Sequence, residues 1–385
     1  TLRTSYALRG NAYQTSPMLN ARFYNAIRFD GINSEIGIRV QAPELYNLAW
    51  EKDYITNVGL DMSFLKRFTV IGEFYYRKNK DLIAASSMPL EEGFATKVIN
   101  WASMSNTGLD LTFNVSNILN TKKFRWGAGL IYSYVKNRML DGVLQSPLLT
   151  NVTKPEGFGK IGKPLYGLYA YNFAGLDANG QPLFFMGGKD GRTTNGIVLS
   201  STNDSLVSYM GPREPTTTGS ISNSFGYGPF ELRIFFTYSY GNKVFRSPMV
   251  QRNYADHLAA AQDIDARWRS SGDELITNVP GLVSNIQAAY LSSAGIQNEF
   301  AYNRSNAMVV KANVLRLNEV MFSYELSPKL LQRSGIIKSV RLMASANNIY
   351  YWAHKRLRGV DPETLITGVS LPNPKSYSFR LMAHF

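Results

Sequence analysis

The sequence predicts an all-β protein, an antiparallel transmembrane β-barrel wall with long loops on one side. Three observations predict it. Apolar residues recur with period two over segments of about ten residues, the length of a tilted crossing of the hydrocarbon layer. Short and long connections alternate along the chain. The composition combines 23 Tyr, 21 Phe and 5 Trp in 385 residues with a mean hydropathy of −0.18. No apolar run approaches the length of about 18 residues that a membrane helix needs.

The elements follow in chain order. Residues 2–10 read as a weak first strand. Val58, Leu60, Met62 and Phe64 then alternate with Asn57, Gly59, Asp61 and Ser63. Phe68, Val70, Gly72, Phe74 and Tyr76 alternate with Thr69, Ile71, Glu73, Tyr75 and Arg77. Leu109, Leu111, Phe113 and Val115 oppose Asp110, Thr112, Asn114 and Ser116. Phe124, Trp126, Ala128, Leu130, Tyr132 and Tyr134 form the next apolar face. Residues 219–227 are a weak strand, and 230–240 the clearest one. There Phe230, Leu232, Ile234, Phe236, Tyr238 and Tyr240 oppose Glu231, Arg233, Phe235, Thr237 and Ser239. Val320, Phe322, Tyr324 and Leu326 oppose Met321, Ser323 and Glu325. Val340, Leu342, Ala344 and Ala346 oppose Ser339, Arg341, Met343 and Ser345. Tyr377, Phe379, Leu381, Ala383 and Phe385 close the chain with an aromatic terminus on the apolar face.

These apolar faces carry no charge. The opposite faces carry Arg3, Arg9, Asp61, Glu73, Arg77, Asp110, Arg125, Glu231, Arg233, Glu325, Arg341 and Arg380. A soluble sandwich would turn that face outward; a membrane barrel can line a polar lumen with it. Asp61, Glu73, Asp110, Glu231, Arg233, Arg341 and Arg380 are therefore candidate lumen residues. The connections 65–67, 117–123, 227–229 and 327–337 are short. Those at 11–53, 79–105, 137–218, 241–311 and 354–375 are long. An outer-membrane barrel has this asymmetry, with short periplasmic turns and long extracellular loops. The chain starts at Thr1 without an initiator Met, which predicts a removed leader or a piece of a longer chain.

Chemistry is sparse. The absence of Cys excludes disulfides, thiolate metal sites and a Cys nucleophile. His257, His354 and His384 are scattered without ligand spacing, so no metal or cofactor is expected. No P-loop, GxSxG or HExxH motif occurs, and no catalytic residue is assigned. Asp177-Ala178-Asn179-Gly180 starts like a calcium loop, but no Glu follows at its twelfth position; a hairpin turn is the better account. Residues 254–270 could form a short helix inside a long loop. The net charge of +13 comes without a basic run interleaved with aromatics, so it points to lipopolysaccharide phosphates or acidic partners rather than nucleic acid. Tyr132, Tyr134, Tyr238, Tyr240, Tyr350, Tyr351 and Trp352 read as interfacial aromatics. Trp101, Tyr166, Tyr169, Tyr171 and Trp268 are candidates for stacking on a substrate or partner from the loops.

Several stretches, in order, resemble the SusC/RagA-like TonB-dependent outer-membrane transporters of the Bacteroidota. They are Pro43-Glu44-Leu45 with Ala49-Trp50-Glu51-Lys52 and Val58-Gly59-Leu60-Asp61, then Tyr75 to Ile83 (YYRKNKDLI), then Asn106-Thr107-Gly108-Leu109-Asp110-Leu111. Val314-Leu315-Arg316-Leu317-Asn318-Glu319-Val320, Ala346-Asn347-Asn348-Ile349-Tyr350, and Gly359-Val360-Asp361-Pro362-Glu363 follow. Thr107 and Asn347 depart from the usual Lys and Gln. The resemblance implies that residues 1–385 are about ten C-terminal strands of a 22-stranded plugged barrel, with the plug and N-terminal strands absent from this chain. It implies energised import of oligosaccharides or oligopeptides across the cell outer membrane. A SusD-like surface lipoprotein, the TonB complex acting through the missing N-terminal half, and the remainder of the same barrel are the implied partners. A structural or secretion barrel, or a soluble β-rich adhesin, are the alternatives.

Overall fold

The computed structural model describes residues 1–12, 20–27, 34–42, 48–87, 91, 96–120, 123–142, 148–187, 191–198, 200–249, 262–327, 331, 336–367 and 373–384. Ten strands form one sheet, each antiparallel to its sequence neighbour. They are β1 (Leu2–Asn11), β2 (Glu51–Phe64), β3 (Phe68–Ser87), β4 (Thr96–Asn120), β5 (Phe124–Gly142), β6 (Thr217–Tyr227), β7 (Phe230–Tyr240), β8 (Val314–Glu325), β9 (Ser339–Ala353) and β10 (Ser376–His384). All ten strands read from the alternation are present. Phe385, the expected aromatic terminus, lies outside the described residues.

The registers join the separate apolar faces into one. A single row runs Leu2, Leu60, Gly72, Leu111, Tyr132, Gly219, Tyr238, Leu315, Trp352. A parallel row runs Phe64, Phe68, Val115, Ala128, Asn223, Ile234, Val320, Ala346, Tyr377. Asn223 is polar in that row, and its Oδ1 accepts from the Trp126 indole at 3.3 Å. Leu60, Phe74, Leu111, Leu130, Phe322, Leu342 and Phe379 are all exposed. An apolar surface this large is not a water-facing one. A slip of one residue in any strand would break every row, because the side-chain period is two.

Two expectations change. The connection 79–105 is not one long loop: β3 and β4 remain paired up to Ser87 and Thr96. Alternation fades near Lys78 to Asp81 because both faces are polar there, yet backbone pairing continues across a bulge in which Asp81 adopts φ 58°. The second change is in β8. Strict alternation from Val320 would put Arg316 on the apolar face. A bulge between Leu317 and Phe235's partner Glu319 inverts the parity below it, so Leu315 and Leu317 join the apolar rows and Arg316 turns to the polar face, opposite Thr237 and Tyr351. Asn348 in β9, at φ 53°, lies in the matching irregularity.

Gly108 shows how tight the wall is. Tyr75 lies directly opposite and folds its ring over Gly108; a Cβ there would lie 2.1 Å from the ring. Gly108→Ala should cost about 1–3 kcal/mol by displacing that ring. Adding Tyr75→Ala should recover part of the loss, read as a coupling energy in urea unfolding of the complete protein. Additive losses would show that the ring does not depend on the glycine.

Candidate functional site

The polar face is built by the same strands. Arg125, Gly226, Glu231, Ser323, Met343 and Arg380 form one cross-strand row. Next to it Arg233 faces Ser224 and Met321. Phe235 faces Ser222 and Glu319. Together Asn114, Arg125, Glu231, Arg233, Phe235 and Glu319 line an open cavity of about 670 Å³. Glycines and serines of β5 and β6 form its floor, so the long charged side chains project over small ones. Glu319 keeps the parity of Met321, Ser323 and Glu325, so alternation extended one step below Val320 places it on this face.

The other predicted polar-face residues do not converge there. Asp61 is held bidentately by Arg3, at 2.8 and 2.9 Å. Arg341 pairs with Glu325 at 3.1 Å. Both pairs are solvent-exposed and contribute little, within about 1 kcal/mol. Glu73 and Asp110 are directly opposite each other. Two carboxylates so placed repel, and neither has a cation among the described residues.

Beyond the strand ends, the described parts of the connections 143–216 and 241–313 fold together into a cap with its own core. Strand Gly167–Tyr171 pairs with Val207–Pro212, and Phe173–Leu176, Pro182–Phe185 and Thr193–Thr194 form a small sheet. Lys243–Phe245 pairs with Val309–Lys311, and helices Asn285–Ser293 and Asn298–Asn303 lie between. Leu149, Leu168, Tyr171, Phe184, Ile197, Ala301 and Met308 are wholly buried there. Much of the expected helix 254–270 lies outside the described residues; 262–266 is a short 3-10 turn. The Asp177 turn is a hairpin turn, its Oδ1 accepting from Asn179 and Gln181 N–H at 2.9 Å each.

The aromatic candidates divide on this cap. Tyr169 and Tyr171 belong to its core, 4% and 0% exposed, which leaves no ring face for a ligand. Period two within a strand buried on both faces hid this from the sequence. Burial pushes the Tyr171 phenol up to about 12 and the Tyr169 phenol upward as well. Trp268 lies against Gly180 and donates its indole N–H to Glu274 at 3.0 Å. Gly180, at φ 72°, has no room for a side chain beneath that ring. Trp101 is in β4 rather than a loop, half-buried. Tyr166 is exposed and lines a second cavity of about 390 Å³ with Tyr134, Lys136, Arg138, Lys163 and Tyr209. Tyr351 is not an interfacial residue: its ring stacks on the Arg316 guanidinium, 5.3 Å away, on the polar face.

Arg316 fastens the last long connection to the wall. Its Nη2 donates to both Asp361 oxygens, at 2.9 and 2.7 Å, and to Glu363 at 2.9 Å. Arg316 and Asp361 are buried. Asp361 also caps helix Pro362–Thr367, accepting from Glu363 N–H at 3.1 Å. The two quoted stretches around Arg316 and Asp361, far apart in sequence, are thus one contact. Tyr351 closes it by donating its hydroxyl to Gly359 O at 2.5 Å. The Arg213 guanidinium donates to Ile366 O, which ties the cap to the same connection.

No protein-family model matches the chain. It is 25% identical over 94% of its length to TonB-dependent receptor P39 of Formosa agariphila, covering 37% of that protein. It is 26% identical over 87% of its length to TonB-dependent receptor SusC of Bacteroides thetaiotaomicron, covering 32% of it. The chain thus spans about a third of the length of these curated relatives. Its fold matches a chain of the RagAB peptide transporter with a TM-score of 0.77 at 22% identity, covering 99% of this chain and 40% of that one. The fold is that of part of a TonB-dependent transporter barrel, as the alternation and the resemblance implied.

Two outcomes follow from the cap and its lock. Asp361→Asn keeps the helix cap but removes the charge, and should cost about 3 kcal/mol or more by leaving Arg316 buried and under-compensated. Urea unfolding measures the loss, and limited proteolysis should show cleavage moving into 354–367. Raising the pH tests the core. The Tyr171 phenol is favoured in its neutral form, so its contribution is complete below about 10, the ordinary tyrosine value. It is lost as the pH rises through about 12. The tyrosinate absorbance that Tyr171→Phe removes and the cap proteolysis of the wild type should therefore rise together in that interval; a difference absorbance that rises at pH 10 with the cap intact would refute the burial argument.

Proposed function

We propose that this chain is the C-terminal wall of an outer-membrane barrel that imports nutrient molecules with energy delivered through TonB. The observation that carries the reading is the continuous, largely apolar face across ten strands, opposed by one charged face, on a fold shared with the RagAB transporter chain. In hydrocarbon every backbone N–H and C=O needs a partner, so β1 and β10 pair with the remainder of the same barrel. The polar face, with Asp61, Glu73, Asp110, Glu231, Arg233, Arg341 and Arg380, then looks into the lumen. The cap stands on the extracellular side, where the long connections are, and offers the surface for a SusD-like lipoprotein.

Import in this reading needs no covalent chemistry from the chain. Its residues bind, orient and exclude. The lumen cavity offers cations, carboxylates and a single aromatic ring, Phe235, which suits polar oligomers such as peptides or oligosaccharides. A chain of the RagAB peptide transporter shares this fold with a TM-score of 0.77, so oligopeptides are the first class to test. Cells that carry the complete protein should take up labelled oligopeptides or oligosaccharides only while TonB is present. Uptake unaffected by loss of TonB would overturn the reading.

Orientation is tested separately. Ile234→Arg should destabilise the complete barrel in phospholipid vesicles by about 2–4 kcal/mol, the cost of a cation facing lipid near mid-membrane. Phe235→Arg, one residue along on the polar face, should cost far less. Equal losses would refute the assignment of faces.

A further inference from the structure

Just beyond the apolar rows, the outer face of the wall changes character. On β3 about ten residues separate Phe68 from Lys78, one tilted membrane crossing. The row Tyr6, Thr56, Tyr76, Thr107 ends on Lys136. The next row is Leu8, Tyr54, Lys78, Ser105, Arg138. Above it Lys52 faces Lys80. No register shift separates these positions from Phe74, Leu109 and Tyr134, so their side chains keep to the apolar side of the sheet. Lys52, Lys78, Lys80, Lys136 and Arg138 therefore form a basic belt at the long-loop rim.

Three cations at the edges of the other face are ion-paired. There Arg3, Arg77 and Arg341 are each paired, with Asp61, Asp53 and Glu325. On the belt Lys52 is bound to Asp81 at 2.9 Å, and Lys80 lies over the Tyr54 ring. Among the described residues no carboxylate pairs with Lys78, Lys136 or Arg138. Lys136 and Arg138 share a cavity with Lys163, Tyr134, Tyr166 and the carboxylate of Glu214. Between Lys78 and Arg138 β4 places only the small side chain of Ser105, and Thr107 follows in the neighbouring row. Ser105 itself is buried, and the flanking cations stand on strands about 9–10 Å apart, two strand spacings.

We propose that this belt binds the multiply phosphorylated headgroup of an outer-leaflet lipid. The inference rests on the membrane reading above. Acyl chains lie on the apolar rows, the interfacial tyrosines mark the boundary, and the head groups of Lys78, Lys136 and Arg138 hold the phosphate. Arginine and lysine together suit phosphate, one as a planar donor fork and the other as a point charge.

The test uses the complete protein in zwitterionic phosphatidylcholine vesicles doped with bisphosphorylated or dephosphorylated lipid A. Retention is measured by phosphorus analysis of the re-isolated protein, with chelator present throughout. Wild type should retain the bisphosphorylated lipid at least tenfold over the dephosphorylated form, and added salt should weaken it. Lys78→Gln/Lys136→Gln/Arg138→Gln should lose that preference, whereas Arg233→Gln on the opposite face should keep it. Heat-modifiable migration on gels reports the folded barrel independently: its absence in wild type refutes the membrane reading, whereas its presence without phosphate selectivity refutes this proposal alone. Equal retention by the triple variant, or full displacement by millimolar inorganic phosphate, would overturn the lipid site. Displacement by inorganic phosphate would identify a free-phosphate site in its place.

Discussion

The structure depends on one constraint: backbone hydrogen bonding must be complete wherever the sheet meets hydrocarbon. An antiparallel ladder satisfies it, and with the ladder comes a strict alternation of faces. Each strand must then match both neighbours in register, or its apolar residues reach the wrong side. The rows through Leu60, Leu111, Tyr132 and Tyr238, and through Phe68, Ala128, Ile234 and Ala346, are the outcome of that matching.

Departures from strict alternation are correspondingly informative. The bulge in β8 moves Arg316 from the side where a cation would be costly to the side where Asp361 and Glu363 receive it. A buried ion pair is not a strong source of net stability, because desolvation offsets most of the attraction. Its value lies in specificity: the connection that carries Asp361 has one seat on the wall. Through Arg213 and Ile366 the cap is anchored to the same place. The cap is thus a folded unit with its own core, fixed to the wall, and not a set of independent loops.

Charge is distributed by the same logic. On the polar face Arg3, Arg77 and Arg341 have carboxylate partners, and Arg125 and Arg233 share a cavity with Glu231 and Glu319. On the outer face Lys52, Lys78, Lys80, Lys136 and Arg138 stand together at one rim, beside Tyr54, Tyr76 and Tyr134.

The alternation of 230–240 and its nine companions determined the strand count, the faces and the side on which the long connections lie, because a period of two in a sheet that is apolar on one face only is a local property of the chain. The quoted motifs carried the resemblance that the comparisons bear out. Other features were decided by tertiary contacts. Tyr169 and Tyr171 look like loop aromatics until Phe184, Val207 and Met308, from distant segments, close around them. Arg316 looks lipid-facing until a bulge inverts its parity, and no local pattern announces a bulge. Glu319 and Arg125 reach the cavity of Glu231 and Arg233 only because four strands bring them there. Alternation is encoded residue by residue, whereas register, bulges and the joining of two long connections into one core arise only from pairing between segments that are far apart in the chain.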